Sequence, residues 1–232
     1  MAIRRFNLKY LKICCFCLGS FILVYLCLGL PQGILILNEG SPKQLVLADN
    51  FAKLGRAFAA YHDSHGLFPE EYIKDSNWTP VLSWRVSILP ALGEQELYRQ
   101  FRLDEPWDSA HNKALVNKMP RVFANPYDDM EITSQGKTSL VGASGQNTFF
   151  DNSSRSKASF IERVRKGDLI MLLETSVPVP WTEPIRIDLS SEPDISKLGS
   201  KRPRGFHALF VDGHSEFLEM KDPKIPSYLF ID

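Results

Sequence analysis

The sequence predicts an α+β fold, in which an N-terminal transmembrane helix continues into an amphipathic helix packed on an antiparallel β-sheet with long loops. Three observations lead there. Residues 13–38 run for 26 positions without a charge, residues 43–62 repeat apolar side chains at helical spacing, and the C-terminal part breaks into short apolar runs bounded by Gly, Pro, Asn and Ser.

The first element is the membrane span, placed at residues 13–37. A hydrocarbon core of about 30 Å needs roughly 20 helical residues, and a soluble core helix would show a polar face that residues 13–30 lack. A cleaved signal peptide would have a shorter apolar run followed by a small-residue site. Here Pro31, Gln32 and Gly33 follow the run, and the nearest alanine-containing candidate, residues 46–48, lies well downstream. A retained anchor is therefore expected. Arg4, Arg5, Lys9 and Lys12 precede it and keep residues 1–12 in the cytoplasm, which puts residues 41–232 outside as the extracytoplasmic domain.

Charge follows the same division. The 232-residue chain balances 27 basic against 27 acidic side chains, yet residues 1–40 hold four basic and one acidic, a balance of +3, and the remaining 23 basic and 26 acidic leave −3. That balance excludes a nucleic-acid binder, whose phosphate contacts require a basic excess. Cys14, Cys15, Cys17 and Cys27 all fall in the anchor, where they read as small apolar residues. The body of the chain has no cysteine, so neither a disulfide framework nor a Cys-based zinc site can exist there.

After Pro42, the residues Leu45, Val46, Phe51, Leu54, Phe58 and Tyr61 recur at spacings that define an amphipathic helix, with Gly66 and Pro69 as stop signals. Residues 83–101 read as a short strand, a break at Pro90 and a short helix. A polar loop around Trp107 and another short helix over 112–119 come next. Candidate strands then occupy 139–143, 169–175, 186–189, 208–211 and 215–220, with irregular excursions at 126–138, 144–160 and 190–204. Asp212 and Gly213 between two apolar runs predict a two-residue hairpin turn with positive φ.

Five strings in order carry a family likeness: LGRAFAAYHDSHGLFP at 54–69, SWRVSILP at 83–90, LYRQFRLDEPWDSAHN at 97–112, VPWTEP at 179–184 and ALFVDGHSEFL at 208–218. Over residues 45–220 the chain resembles the pseudopilin-like, prepilin-type domains of unknown function multiplied in planctomycete bacteria. The resemblance implies a pilin-like architecture. It marks Trp84, Arg85, Pro90, Asp104, Pro106, Trp107, Asp108, Trp181, Asp212 and Gly213 as motif residues with a structural or interaction role. Two departures stand out. The prepilin peptidase signal is degenerate, since residues 5–10 lack both the Gly before the cut and the Glu after it. Arg202 also stands where many relatives have a His upstream of the Asp-Gly turn.

Several groups carry side chains of the types that chemistry needs. His62, Asp63 and His65, with His207 and His214, contain metal-ligand types without zinc spacing, and a helix end capped by Gly66 explains the first three. Asp104, Glu105 and Asp108 could act as paired carboxylates for acid/base work or hold calcium, as a loop in some pilin relatives does. The plainer expectation is that Trp107 plugs the loop into the core while Asp108 caps the next helix. Asp128, Asp129 and Glu131 read as solvated surface. Ser144 lacks the flanking glycines of a nucleophile elbow. Trp84 and Arg85 either recognise a carboxylate or partner at the surface, or lock an irregular segment from inside.

The expected function is that of a non-catalytic, membrane-anchored pseudopilin-like protein exposing its α+β domain for assembly or interaction. Its partners would be the lipid bilayer and other envelope or pseudopilin-like proteins, with no resident cofactor or metal. The alternative is a calcium- or carbohydrate-binding surface module using Asp104, Glu105, Asp108 and the Trp107 or Trp181 ring. A hydrolase using His62, Asp63 or His207 ranks last, because no convergent nucleophile, base and oxyanion set can be named.

Overall fold

Leu47, Phe51, Leu54 and Phe58 lie three or four residues apart, so a helix stacks them on one face. That face is fully buried in the computed structural model, which describes residues 41–184, 189, 198–199 and 204–231. The helix, α1, spans Pro42–His65. Pro42 opens it, where a missing amide costs nothing, and Gly66 ends it with φ +75° and its amide bonded to the His62 carbonyl at 2.7 Å. The expected membrane span at 13–37 lies outside the described residues. Among those described, no helix is long and apolar enough to cross a membrane.

A small hairpin follows, β1 at Tyr72–Lys74 antiparallel to β2 at Pro80–Ser83. Residues 83–89 do not form the strand expected of them. Extension stops at Ser83, whose hydroxyl accepts the Arg85 amide and caps a helical turn over Trp84–Ser87. A local cap thus overrides the β preference of Trp and Val. Pro90 opens a single 3₁₀ turn, Pro90–Leu92, and short helical turns at Gln95–Tyr98 and Ala110–Lys113 come next.

The main sheet has four strands in sequence order, all antiparallel: β3 Lys137–Gly142, β4 Ile170–Pro180, β5 Gly205–Phe210 and β6 Ser215–Glu219. Leu140, Met171 and Leu209 join the core under α1, whereas Val141, Leu173, Ala208 and Phe210 enter a second cluster with Leu198, Ile225 and Leu229. Apolar side chains therefore leave both faces, which is why the first half of β4 and all of β5 read as near-continuous apolar runs. Gly55 of α1 passes over the β5–β6 hairpin so closely that a Cβ there would sit 3.3 Å from the Gly213 Cα.

Two expectations about the segments around the sheet need correction. The excursion at 126–138 contains a helical turn, Met130–Ser134, and the one at 144–160 runs into a second helix, α2, at Ala158–Lys166. A third helix, α3, at Ile225–Leu229 closes the described chain over the second cluster. The strand expected at 186–189 falls outside the described residues except for Leu189, which is buried and in no strand.

Candidate functional site

Trp84 and Arg85 are both buried, at 3% and 2% exposure, so the inward reading of the pair holds. The guanidinium lies 4.6 Å from the centre of the Trp84 ring, donates to the Ser83 hydroxyl at 2.9 Å and also donates to the Leu140 carbonyl of β3. Its Nε has no partner among the described residues. Burial lowers this guanidinium to about 9, leaving it charged at neutral pH. Arg85 therefore ties the first helical turn to the sheet and presents nothing to a ligand.

Trp181 is fully buried and donates its indole N–H to the Val116 carbonyl at 2.8 Å. Its ring stacks on Phe123 at 5.6 Å and meets Phe101 edge-on at 5.7 Å. Phe123 leads on to Trp84 at 6.1 Å and Trp84 to Phe58 at 5.2 Å, an aromatic chain running from the loops to α1. With its ring inside this chain, Trp181 offers no face to a sugar.

The loop of Asp104, Pro106, Trp107 and Asp108 is organised by Asn112, which is wholly buried. Its Nδ2 donates to the carbonyls of Arg102, Glu105 and Pro106 at 2.9, 3.0 and 3.2 Å, and its Oδ1 accepts the Arg102 amide at 3.0 Å. The Trp107 amide bonds Val81 of β2 at 2.9 Å and its half-buried ring packs on the core. The helix cap is Ser109, whose hydroxyl accepts the Asn112 amide at 3.1 Å; it is not Asp108 as expected. Asp104, Pro106 and Asp108 are exposed, as is Pro90. Glu105 is paired with Arg102 at 2.8 Å, and hydrogen bonds from Arg102 and Ser109 lower its carboxyl. Burial, and then the neighbouring Asp108, raise the Glu183 carboxyl.

Gly213 takes φ +90° and Asp212 does not share the positive value, so the expected two-residue turn is replaced. The Gly213 amide bonds Phe210 O and the Phe210 amide bonds His214 O, both at 2.9 Å. This is a three-residue loop with glycine at the left-handed position, the next commonest hairpin connection.

Among the described residues no three His, Cys, Asp or Glu side chains gather as a metal would require. His62 and Asp63 are exposed on α1, 3.8 Å apart, whereas His207 is buried on β5 with its Nδ1 3.5 Å from Glu174. Glu174, at zero exposure, also accepts from Asn125 Nδ2 at 2.8 Å and from the His207 amide at 2.7 Å. Sequence reasoning missed this buried polar cluster, although a lone acid inside the apolar run 169–175 was its visible trace. It also missed Trp78, the most exposed tryptophan at 77%, which stands at the tip of the β1–β2 hairpin.

The family described as "Protein of unknown function (DUF1559)" matches residues 48–168, more than half of the chain. The chain belongs to that family. The DUF1559 match takes in most of α1, the β1–β2 hairpin, the Asn112-organised loop, β3 and α2, and it stops just short of β4. Trp84, Arg85, Pro90, Asp104, Pro106, Trp107 and Asp108 lie inside it; Trp181, Asp212 and Gly213 lie beyond it. No curated protein and no solved structure matches the chain.

Proposed function

We propose that this DUF1559 protein is a non-catalytic, membrane-anchored, pseudopilin-like protein that holds its α+β domain outside the cytoplasmic membrane for assembly or interaction with envelope partners. The observation that carries the reading is the 26-residue uncharged run at 13–38, preceded by Arg4, Arg5, Lys9 and Lys12. A pilin-like reading of residues 41–232 is supported by a 24-residue N-terminal helix whose apolar face packs over a four-stranded antiparallel meander. The motif residues support a non-catalytic role, since Trp84, Arg85 and Trp181 have their reactive or stacking surfaces inside the core.

Membrane fractionation followed by protease treatment of intact spheroplasts tests this directly. The chain should sediment with membranes, resist alkaline extraction and lose its body to external protease. Recovery in the soluble cytoplasmic fraction, or a body protected until the membrane is breached, would overturn the reading. Sequencing the mature N-terminus separates its two forms, because a start at Met1 means a plain anchor and a start near Phe6 means prepilin-type processing.

A further inference from the structure

The tip of the β1–β2 hairpin is built around a residue that its backbone does not suit. Asp75 Oδ1 accepts the amides of Asn77 and Thr79 at 2.8 and 2.9 Å, and the Trp78 amide bonds the Asp75 carbonyl at 3.0 Å. This turn leaves Trp78 at φ +65°, a left-handed position that glycine or asparagine fills without strain and a bulky L side chain does not. Strain of this kind collects at ligand sites, and here it holds an indole ring 77% exposed to water.

Trp78 borders a groove. One cavity of about 520 Å³ runs under the hairpin, and a second of about 540 Å³ continues along the C-terminal half of α1 to Tyr98, the two sharing Tyr61, Ile73 and Ser87 as floor. Each lies within the range of roughly 300–1,000 Å³ found for small-molecule sites. The Tyr61 ring is braced by His65, stacked at 4.0 Å and 9°. Burial, then the nearby Tyr98 and Glu70, raise the Tyr61 phenol, so it remains a hydrogen-bond donor at neutral pH.

The charges beside the groove are already engaged. Glu70 pairs with Lys74 at 2.9 Å, Lys74 lies 5.6 Å from the centre of the Trp78 ring, and Asp75 Oδ1 serves two backbone amides. An anionic ligand finds no free cation there, because Lys74 is already neutralised by Glu70. One exposed indole face beside two half-buried tyrosines and the Ser76 and Ser87 hydroxyls, in a groove open to water, suits a ligand with an apolar C–H face and a hydroxylated edge. A proline-rich peptide also docks in aromatic grooves, and its flanking cations would have Asp75 alone to pair with, since Glu70 is held by Lys74.

We propose that this groove binds a neutral oligosaccharide, with the Trp78 ring as a stacking platform at its open end and Tyr61 and Tyr98 along its floor. The inference does not depend on membrane anchoring, and its test does not read localisation. Full-length protein in a detergent without a sugar headgroup is titrated with linear β-1,4-linked tetramers of glucose and of N-acetylglucosamine, and with a proline-rich decapeptide, by calorimetry and tryptophan fluorescence. At least one sugar should bind saturably. Trp78→Phe should keep most of that affinity, whereas Trp78→Gly should weaken it about tenfold, the size expected for one lost aromatic contact, while raising the thermal midpoint by relieving the strain. The proposal is overturned by the absence of saturable sugar binding, by Trp78→Gly binding as tightly as the parent, or by a lower midpoint in Trp78→Gly. Trp78-dependent binding of the peptide alone would reassign the groove to a protein partner.

Discussion

Arg85 shows how much a single buried charge is asked to do. Among the described residues no carboxylate stands beside it to offset the loss of water; its compensation comes from the Ser83 hydroxyl, the Leu140 carbonyl and the Trp84 ring. Truncation to alanine removes the charge and, beyond stranding the Leu140 carbonyl as any apolar replacement does, opens a cavity. Arg85→Ala should therefore lose about 2–4 kcal/mol of stability in urea unfolding, whereas Arg85→Met, which fills the volume without a charge to desolvate, should stay within about 1 kcal/mol of the parent. Equal losses in the two variants would mean that the hydrogen bonds, and not the packing, dominate. The sequence displayed Trp84 and Arg85 as a pair worth attention but could not say which way they faced, because burial is set by α1 and β3, both distant along the chain.

At the scale of elements, caps decide boundaries that side-chain pattern leaves open. The helical turn Ala110–Lys113 is capped by Ser109, while Asp108 stands exposed and near Glu183. Ser109→Ala should cost about 1 kcal/mol, and Asp108→Ala should be neutral or slightly stabilising, because it removes a like charge from Glu183. Thermal unfolding of the two variants checks this, and a larger loss for Asp108→Ala would return the cap to Asp108. The elements legible in advance were those with a long period or a dense apolar run: α1 through Phe51, Leu54 and Phe58, and β4, β5 and β6 through their runs of Leu, Ile, Ala and Phe. Those that escaped notice are short and owe their form to local hydrogen bonds. The β1–β2 hairpin is closed by Asp75 with a tryptophan where glycine would be expected, the turn at Trp84 is capped by Ser83, and α2 is a nine-residue helix set in a loop-like composition. Asn112 and the Glu174–His207 cluster were invisible for a different reason, since each joins strands or loops whose proximity exists only after folding.

For the whole molecule, contacts divide the chain into a unit at residues 1–41 and a larger one at 42–232. Every described core residue, from Leu47 to Ile231, belongs to the larger unit, and its sheet is covered on one face by α1 and on the other by α3 and Leu198. A body whose two clusters close on themselves has what an autonomous domain requires, its own core. A chain beginning at Pro42 should therefore fold alone. Its thermal midpoint should lie within about 4 °C of that of the full chain in detergent, the shift that ~1 kcal/mol produces in a domain of this size. It should also keep the near-ultraviolet circular dichroism of the packed Phe58, Trp84, Phe123 and Trp181 rings. A non-cooperative transition, or loss of that aromatic signal, would mean that residues 1–41 contribute to the core. Retention of both would make the body a module that the N-terminal segment positions without helping to fold it.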